Sequence, residues 1–251
     1  MKRLTFFSVL TAFCGTVLVG GVHTARAEET HHFTQQEQAE IVQIMHKALK
    51  DDPQILVDAI QSLRQKATEQ TQTQSLNGVK AHYTELETAP AYAIKGNPHG
   101  KVTIIEFLDP RCGYCRRMMP VLDELLKRHH DVRLIEKIVP VLGPDSLLAS
   151  QAILAAALQG HYEEMRLALM NDAAKPDQDR IEDFAKKQGL DLDRFRQDMK
   201  GAAVKALIAV NVGQAQSIGL DGTPTFVFGQ SAVIPGAISL EQMEQVLGKV
   251  H

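Results

Sequence analysis

Cysteine is scarce in this chain, and the few cysteines present are unevenly placed. Of the 251 residues only three are cysteines. Cys112 and Cys115 stand at Cys-x-x-Cys spacing directly after an apolar run, whereas Cys14 lies in a stretch with the pattern of an export signal. If that stretch is removed, no cysteine is left over for a structural bridge, and two thiols at this spacing point to redox chemistry.

The shortage of further ligands limits what else the pair can do. A structural zinc site would need a second cysteine pair or spaced histidines, but His129 and His130 are adjacent and no other cysteine follows. An inert disulfide across so short a loop would stabilise the fold little. A Cu(I) site is chemically possible, because thiolates suit Cu(I) and Met118 and Met119 are close in sequence. We expect no resident metal and no cofactor, and we keep copper binding as an alternative.

Excess positive charge is also missing. Without the first 27 residues, which hold Lys2, Arg3 and Arg26, the chain has 24 basic and 30 acidic residues, a net charge of −6 with neutral histidines. This balance argues against nucleic acid as a partner. No glycines stand at phosphate-loop spacing and no segment repeats, so there is no nucleotide-binding fingerprint.

The first 27 residues have the layout of a secretory signal peptide. Lys2 and Arg3 precede an uncharged, largely apolar stretch at residues 4–22, and residues 25–27 (ARA) form a small-x-small cleavage site. Length alone does not exclude an uncleaved membrane anchor, since about 20 apolar residues span a bilayer. The cleavage pattern favours export, and we predict a periplasmic protein whose thiols work in an oxidising compartment.

Residues 34–66 predict two amphipathic helices. Thr34 opens a capping box (TQQE), and Asp52-Pro53 restarts the helical pattern. Short helices cannot hide an apolar face alone in water, and here that face comprises Ile41, Ile44, Met45, Ala48, Leu49, Leu56, Ala59, Ile60 and Leu63. We predict an oligomerisation stalk at residues 28–76 that forms a homodimer or homotrimer through residues 34–66, followed by a linker at residues 77–96. Packing of the stripe on the main domain is the alternative.

Residues 97–251 predict a second unit of the α/β class. An apolar, β-branched strand at residues 101–108 is followed by the cysteines, a helix and a second strand at residues 132–139. Helical patterns continue to residue 218, and strand character returns at residues 225–228 and 232–234. Ser239 caps a last helix. The order is therefore β-Cys-x-x-Cys-α-β, several helices, and β-β-α.

The position of the cysteine pair suits thiol exchange. Cys112 is predicted at the N-terminus of a helix, where unpaired N–H groups and the helix dipole favour a thiolate, and Arg111, Arg116 and Arg117 add positive charge nearby. Cys115 follows one turn later, after Gly113 and Tyr114. An attacking thiolate with a second thiol in reach is what exchange through a mixed disulfide requires.

Thr223-Pro224 is a second candidate element of the site. Bonds before proline can be cis, and a strand at residues 225–228 beside residues 101–108 would bring Pro224 to the cysteines. The Thr223 backbone would then be free to pair with an extended substrate peptide. An ordinary edge-strand proline is the alternative.

Three segments together closely resemble the DsbA family of secreted thiol-disulfide oxidoreductases, and more narrowly its ScsC-like (suppressor of copper sensitivity C) subgroup: EFLDPRCGYC at residues 106–115, GTPTF at residues 222–226 and IPGA at residues 234–237. The resemblance covers residues 97–251 and extends loosely to the N-terminal helices, which form an oligomerisation stalk in such relatives. It implies a thioredoxin-like fold with an inserted helical domain at about residues 141–219.

The resemblance also implies roles for individual residues. Cys112 is then the nucleophile, Cys115 the resolving thiol, and Pro224 the cis-proline after Thr223. Glu106 matches the family's buried acid beneath the active site, a proton relay for Cys115. Pro110-Arg111 departs from the aromatic-containing step common before this motif, so substrate preference is not carried over.

The expected function is thiol–disulfide exchange that forms or isomerises disulfide bonds in other exported proteins. The expected partners are cysteine-containing exported substrates and a membrane redox partner protein. A self-associating stalk favours isomerase or reductase over oxidase. The alternative is a copper-handling protein that binds Cu(I) through the same thiols.

Overall fold

The computed structural model describes residues 33–250, so the predicted signal peptide and Cys14 lie outside the described residues. The chain divides into two compact units, one up to Asp58 and one from Ala59 onward. In the first unit, α1 (Gln35–Asp51) begins with the predicted capping box, in which the Glu37 N–H donates to the Thr34 hydroxyl and the Thr34 N–H donates to the Glu37 carboxylate. No residue of α1 is buried.

The second helix is longer than the sequence predicts. α2 (Gln54–Glu87) restarts after Asp52, whose carboxylate accepts a hydrogen bond from the Gln54 N–H. Its C-terminal half belongs to the second unit and buries Ser75, Val79 and Leu86, the last two against the sheet of that unit. Gly78 allows the close approach, because a Cβ there would lie 2.6 Å from the carbonyl oxygen of Ser217.

The predicted linker at residues 77–96 is therefore corrected. Its first part is helix, a 3-10 turn follows at Ala91–Ala93, and β1 (Ile94–Gly96) joins the sheet. The buried residues of this helix, Ser75, Val79 and Leu86, are spaced at helical intervals among polar residues, so the sequence shows no continuous apolar stripe there. The sheet thus begins before residue 97, the predicted start of the second unit.

The central sheet has five strands in the order β1-β3-β2-β4-β5. The other strands are β2 (Val102–Leu108), β3 (Val132–Ile138), β4 (Thr225–Phe228) and β5 (Ala232–Pro235). β2 and β3 are parallel, and the remaining pairs are antiparallel. β2 and β4 are neighbours, with Glu106 opposite Phe226, which confirms the predicted pairing. β2 is buried along nearly its whole length, as its continuous apolar sequence requires.

Helices cover both faces of the sheet. α3 (Gly113–Arg128) and α9 (Leu240–Leu247) pack over Ile104, Leu134 and Phe226, whereas α2 packs over the opposite face. Five further helices lie between β3 and β4, where the sequence predicts a helical insertion: α4 (Pro144–Ala157), α5 (Tyr162–Asn171), α6 (Gln178–Lys187), α7 (Leu192–Lys200) and α8 (Ala202–Ser217). Their core includes Leu108, Ile138 and both cysteines, so the insertion covers the carboxyl ends of β2 and β3.

Candidate active site

Cys112 is the residue immediately before α3 and lies beside the loop that precedes β4. Its N–H donates to the carbonyl oxygen of Asp109 at 3.0 Å, and its Sγ is 3.3 Å from the carbonyl oxygen of Thr223. Both Cys112 and Cys115 are free thiols. The predicted helix N-terminal position of Cys112 is confirmed. A thiol in this position has the helix N-terminus on one side and the peptide carbonyl of Thr223 on the other.

Cys115 lies one turn into α3 and is completely buried. Burial and the nearby carboxyl of Glu106 raise the pKa of the Cys115 thiol well above its ordinary value, while the backbone N–H of Asp109 acts in the opposite direction. A thiol in such surroundings reacts only if another group takes its proton. Glu106 in β2 is the acidic group that acts on this thiol, at the position where the family resemblance implies a buried acid.

Glu106 is buried in the middle of β2, directly opposite Glu136 in the parallel neighbour β3. Burial first, and then the Glu136 carboxylate, raise the pKa of Glu106 to about 8, although Arg166 and Lys95 act against this rise. Glu106 is therefore largely protonated at neutral pH. It can give a proton to a thiolate or, once ionised, take one from a thiol.

The peptide bond between Thr223 and Pro224 is cis, and Pro224 is buried. The loop is fixed on both sides, since the Thr225 hydroxyl donates to the Gly222 carbonyl oxygen at 2.8 Å and the Gly236 N–H donates to the Pro224 carbonyl oxygen at 2.8 Å. Gly113 and Tyr114, between the cysteines, are exposed. The structure thus brings together the site residues that the sequence predicts: Cys112 is 6% exposed beside the partly exposed Thr223, and Cys115 is completely buried near Glu106.

Residues 103–248 match the family model described as a DSBA-like thioredoxin domain. The chain belongs to this family. It is therefore a member of a family of thiol–disulfide oxidoreductases, with the fold that the sequence predicts.

Solved structures support the same assignment. A thioredoxin-like oxidoreductase from Silicibacter pomeroyi DSS-3 is 37% identical with a TM-score of 0.58, and the match covers 62% of this chain and 90% of that one. Proteus mirabilis ScsC in a transitional conformation is 25% identical with a TM-score of 0.60, covering 86% of this chain and 96% of that one. The predicted likeness to the ScsC-like subgroup is thus confirmed at the level of structural neighbours.

The curated relatives are larger proteins. The Na(+)/H(+) antiporter NhaA 3 of Salinispora tropica is 34% identical over 138 residues, which are 53% of this chain and 21% of the antiporter. The chain spans about a fifth of the length of the curated relatives it matches. No helix within residues 33–250 is long and apolar enough to cross a membrane.

The arginines around the cysteines of this DSBA-like domain are arranged differently from the sequence expectation. The Arg111 guanidinium donates to the carbonyl oxygen of Asp172 at 3.0 Å. The Arg117 guanidinium lies over the Tyr114 ring, 4.1 Å from its centroid. Two of the three predicted neighbours of Cys112 are therefore engaged with other partners, because closeness in sequence does not fix the direction of a long side chain.

Asp109 was not predicted as a site residue, although it is fully buried beside the cysteines. Its Oδ1 accepts hydrogen bonds from the Arg111 N–H at 2.7 Å and the Ser146 hydroxyl at 2.7 Å. Its Oδ2 accepts from the N–H groups of Val141 at 2.8 Å and Leu142 at 3.0 Å. This carboxylate therefore joins the cysteine loop to the start of α4.

A partly buried ionic network around Glu136 was also not predicted. The Glu136 carboxylate contacts Lys95 Nζ and Arg166 Nε, each at 3.3 Å, and accepts a hydrogen bond from the Tyr162 hydroxyl at 3.0 Å. Glu163 contacts the same two cations, at 2.9 Å each. The partners come from β1, β3 and α5 and meet only in the folded chain. A charged residue within a β-branched run, as at Glu136, was the one available sequence signal.

Proposed function

We propose that this DSBA-like domain forms or isomerises disulfide bonds in other exported proteins through Cys112 and Cys115. One observation carries the proposal: the Cys112 sulfur, in a residue that is 6% exposed, lies 3.3 Å from the Thr223 carbonyl oxygen, whereas the second thiol is completely buried. A substrate sulfur that reaches Cys112 lies beside a backbone acceptor and is shielded from Cys115 until the first exchange has occurred.

The reaction follows from this arrangement. A substrate thiolate attacks the Cys112 sulfur of the oxidised pair, a new S–S bond forms, and the Cys112–Cys115 bond breaks with its electron pair left on Cys115. The Cys115 thiolate takes a proton from the Glu106 carboxyl. A second substrate thiolate attacks the mixed disulfide and releases Cys112, so the substrate is oxidised and the enzyme reduced. Isomerisation begins instead with attack by Cys112 on a substrate disulfide.

The surface around Cys112 fits an extended polypeptide. The side chains of Tyr114, Val141 and Leu142 are exposed, and the last two belong to the loop that Asp109 holds against the cysteines. Exposed apolar groups at a catalytic surface favour contact with apolar segments of unfolded substrates. The Thr223 carbonyl oxygen becomes available to a substrate N–H when Cys112 no longer donates to it.

The experiment that tests the function is disulfide transfer to a reduced peptide with two cysteines. The oxidised protein is mixed with the peptide, thiols are blocked by alkylation, and both species are counted by mass spectrometry. We expect each peptide disulfide to appear with one reduced Cys112–Cys115 pair. A reduction potential near −120 mV, about that of a strong oxidant, would support an oxidase, and a lower value would support an isomerase or reductase. Absence of transfer would contradict the proposal.

Copper handling is the second candidate function. Met119 packs against the buried cluster that contains both cysteines, whereas Met118 belongs to the cluster with Ile104 under α3. Two thiolates and one thioether form a soft ligand set suited to Cu(I). Stoichiometric Cu(I) binding by the reduced protein, without disulfide transfer in the peptide experiment, would favour this candidate over exchange.

Self-association through residues 34–66 is proposed from the exposed apolar stripe. Ile41, Ile44 and Met45 of α1 are exposed, as are Leu56 and Leu63 of α2. A second or third copy of the chain would bury these side chains. Such an assembly would hold two or three Cys112 sites around one substrate, which favours isomerisation.

Export through residues 1–27, and with it a membrane redox partner protein, is proposed from the signal-peptide pattern.

The double variant Ile44→Gln/Leu63→Gln is expected to convert the assembly to monomers. Both side chains are among the most exposed apolar groups in the described chain, at 67% and 68%, and a polar amide in a buried seam costs about 1–3 kcal/mol per site. Light scattering coupled to size exclusion measures the mass. Val210→Gln, at a 55% exposed residue of α8, is the matched control and should leave the mass unchanged. A wild-type monomer would contradict this part of the proposal.

A further inference from the structure

Two buried carboxyl groups stand side by side beneath the cysteines. Glu106 and Glu136 are direct neighbours in the register of the parallel strands β2 and β3, so their side chains project from the same face of the sheet. Both are buried. Two carboxylates this close in a poorly hydrated interior cannot both ionise easily, so one of them stays protonated.

The contacts decide which carboxyl keeps its proton. Glu136 has two cations at 3.3 Å and the Tyr162 hydroxyl at 3.0 Å, whereas no hydrogen bond joins the Glu106 carboxyl to another residue within 33–250. Hydrogen bonds and opposite charges stabilise the ionised form. Glu136 is therefore the ionised member, and Glu106 the protonated one.

The charge balance of the network gives the same answer. Lys95 and Arg166 carry two positive charges, and Glu136 and Glu163, which both contact them, carry two negative charges. The network is neutral only while Glu106 holds its proton. The charged and titratable groups that act on Glu106 are Glu136 and Lys95 from the sheet, Arg166 from α5, and Cys112 and Cys115 at the start of α3. The neighbouring strand β4 places the uncharged Phe226 opposite Glu106.

We propose that Glu136 is a positioning residue that keeps Glu106 protonated. Glu106 then holds the proton that the Cys115 thiolate takes up. Glu136 touches neither thiol in this role. It acts through Glu106, and the cations limit its effect so that Glu106 can still ionise when the reaction runs in reverse. The inference rests on the proposed thiol exchange, in which the opened Cys115 thiolate needs a proton donor.

The test measures the ionisation of Glu106 directly, without turnover. The carboxyl C=O band of Glu106 is followed by infrared difference spectroscopy of the reduced protein between pH 5 and 10, and the band is identified by its loss in Glu106→Gln. We expect a wild-type midpoint near 8. Glu136→Gln should lower the midpoint by about one pH unit or more, because a negative neighbour is removed.

Two further variants keep the test decisive. Lys95→Met removes a positive charge and should raise the midpoint, so opposite shifts are expected from two residues of one network. Glu163→Gln, at a carboxylate that is 43% exposed and contacts the cations at the rim, should lower it by less than half as much as Glu136→Gln. Equal midpoints in wild type and Glu136→Gln, or a lowered midpoint in Lys95→Met, would overturn the proposal.

The same variants separate this inference from the proposed function. The pH profile of disulfide transfer to the reduced peptide should fall above the Glu106 midpoint, because the proton donor is lost there, and Glu136→Gln should move this fall to lower pH by the same amount. Transfer that persists with an unmoved profile would leave thiol exchange standing and remove the role of Glu136. Shifted midpoints without any transfer would contradict thiol exchange and leave the effect of Glu136 on the ionisation of Glu106 standing.

Discussion

Replacing Cys112 by alanine is expected to lower the rate of disulfide transfer by at least about a thousandfold, because the attacked sulfur is removed and Cys115 is the one other described thiol. Cys115 cannot replace it. That thiol is completely buried, and its raised pKa keeps it protonated at neutral pH. The measurement is the rate at which the reduced two-cysteine peptide gains a disulfide, with the fold of the variant checked by circular dichroism.

Cys115→Ala is the matched variant, and its result should differ in kind. Cys112 can still attack a disulfide, so a mixed disulfide with a peptide or protein substrate should form and persist, since the resolving thiol is missing. Mass spectrometry after acid quenching would detect this adduct, and Cys112→Ala should form none. Equal amounts of adduct in the two variants, or full turnover without Cys112, would exclude Cys112 as the nucleophile.

The parts of the site that follow from local sequence could be predicted. An apolar, β-branched run predicted β2, and the position of the cysteines directly after it predicted the start of α3. The Ser239 cap predicted the start of α9. Each of these signals lies within a few residues and reflects backbone hydrogen bonding or side-chain periodicity. The position of Thr223 beside Cys112 needed a further step, the pairing of β2 with β4, and the structure confirms it.

The supporting residues could not be predicted, because their partners are distant in sequence. Lys95 and Glu163 meet across 68 residues, and Asp109 and Ser146 across 37. The residues next to Glu136 in sequence do not distinguish a glutamate paired with the partly exposed Lys95 and the buried Arg166 from one at a solvent-exposed strand edge. The end of α2, within the predicted linker at residues 77–96, was not predicted for a related reason. The apolar side chains of Val79 and Leu86 are spaced among polar ones, and their packing against the sheet becomes evident only in the folded structure.

Asp109→Asn is expected to lower the free energy of unfolding by about 3–5 kcal/mol, the second large effect. Both carboxylate oxygens of Asp109 act only as acceptors, for three backbone N–H groups and one hydroxyl. An asparagine side chain has an NH2 group in place of one oxygen, so in either orientation this donor faces an N–H group. A buried donor without an acceptor costs about 1–3 kcal/mol, and the lost carboxylate removes charge-assisted bonds as well. Urea unfolding followed by circular dichroism measures the change.

Asp145→Asn is the matched control, because it makes the same chemical change at the neighbouring helix start. Asp145 is partly exposed and pairs with Lys175 at 3.5 Å on the surface, so its loss should cost less than about 1 kcal/mol. Since Asp109 also holds the loop of Val141 and Leu142 against the cysteines, the Asp109 variant should transfer disulfides more slowly even under conditions where it is folded. Equal stability of the two variants would mean that packing alone positions this loop, and then transfer by Asp109→Asn should match the wild type as well.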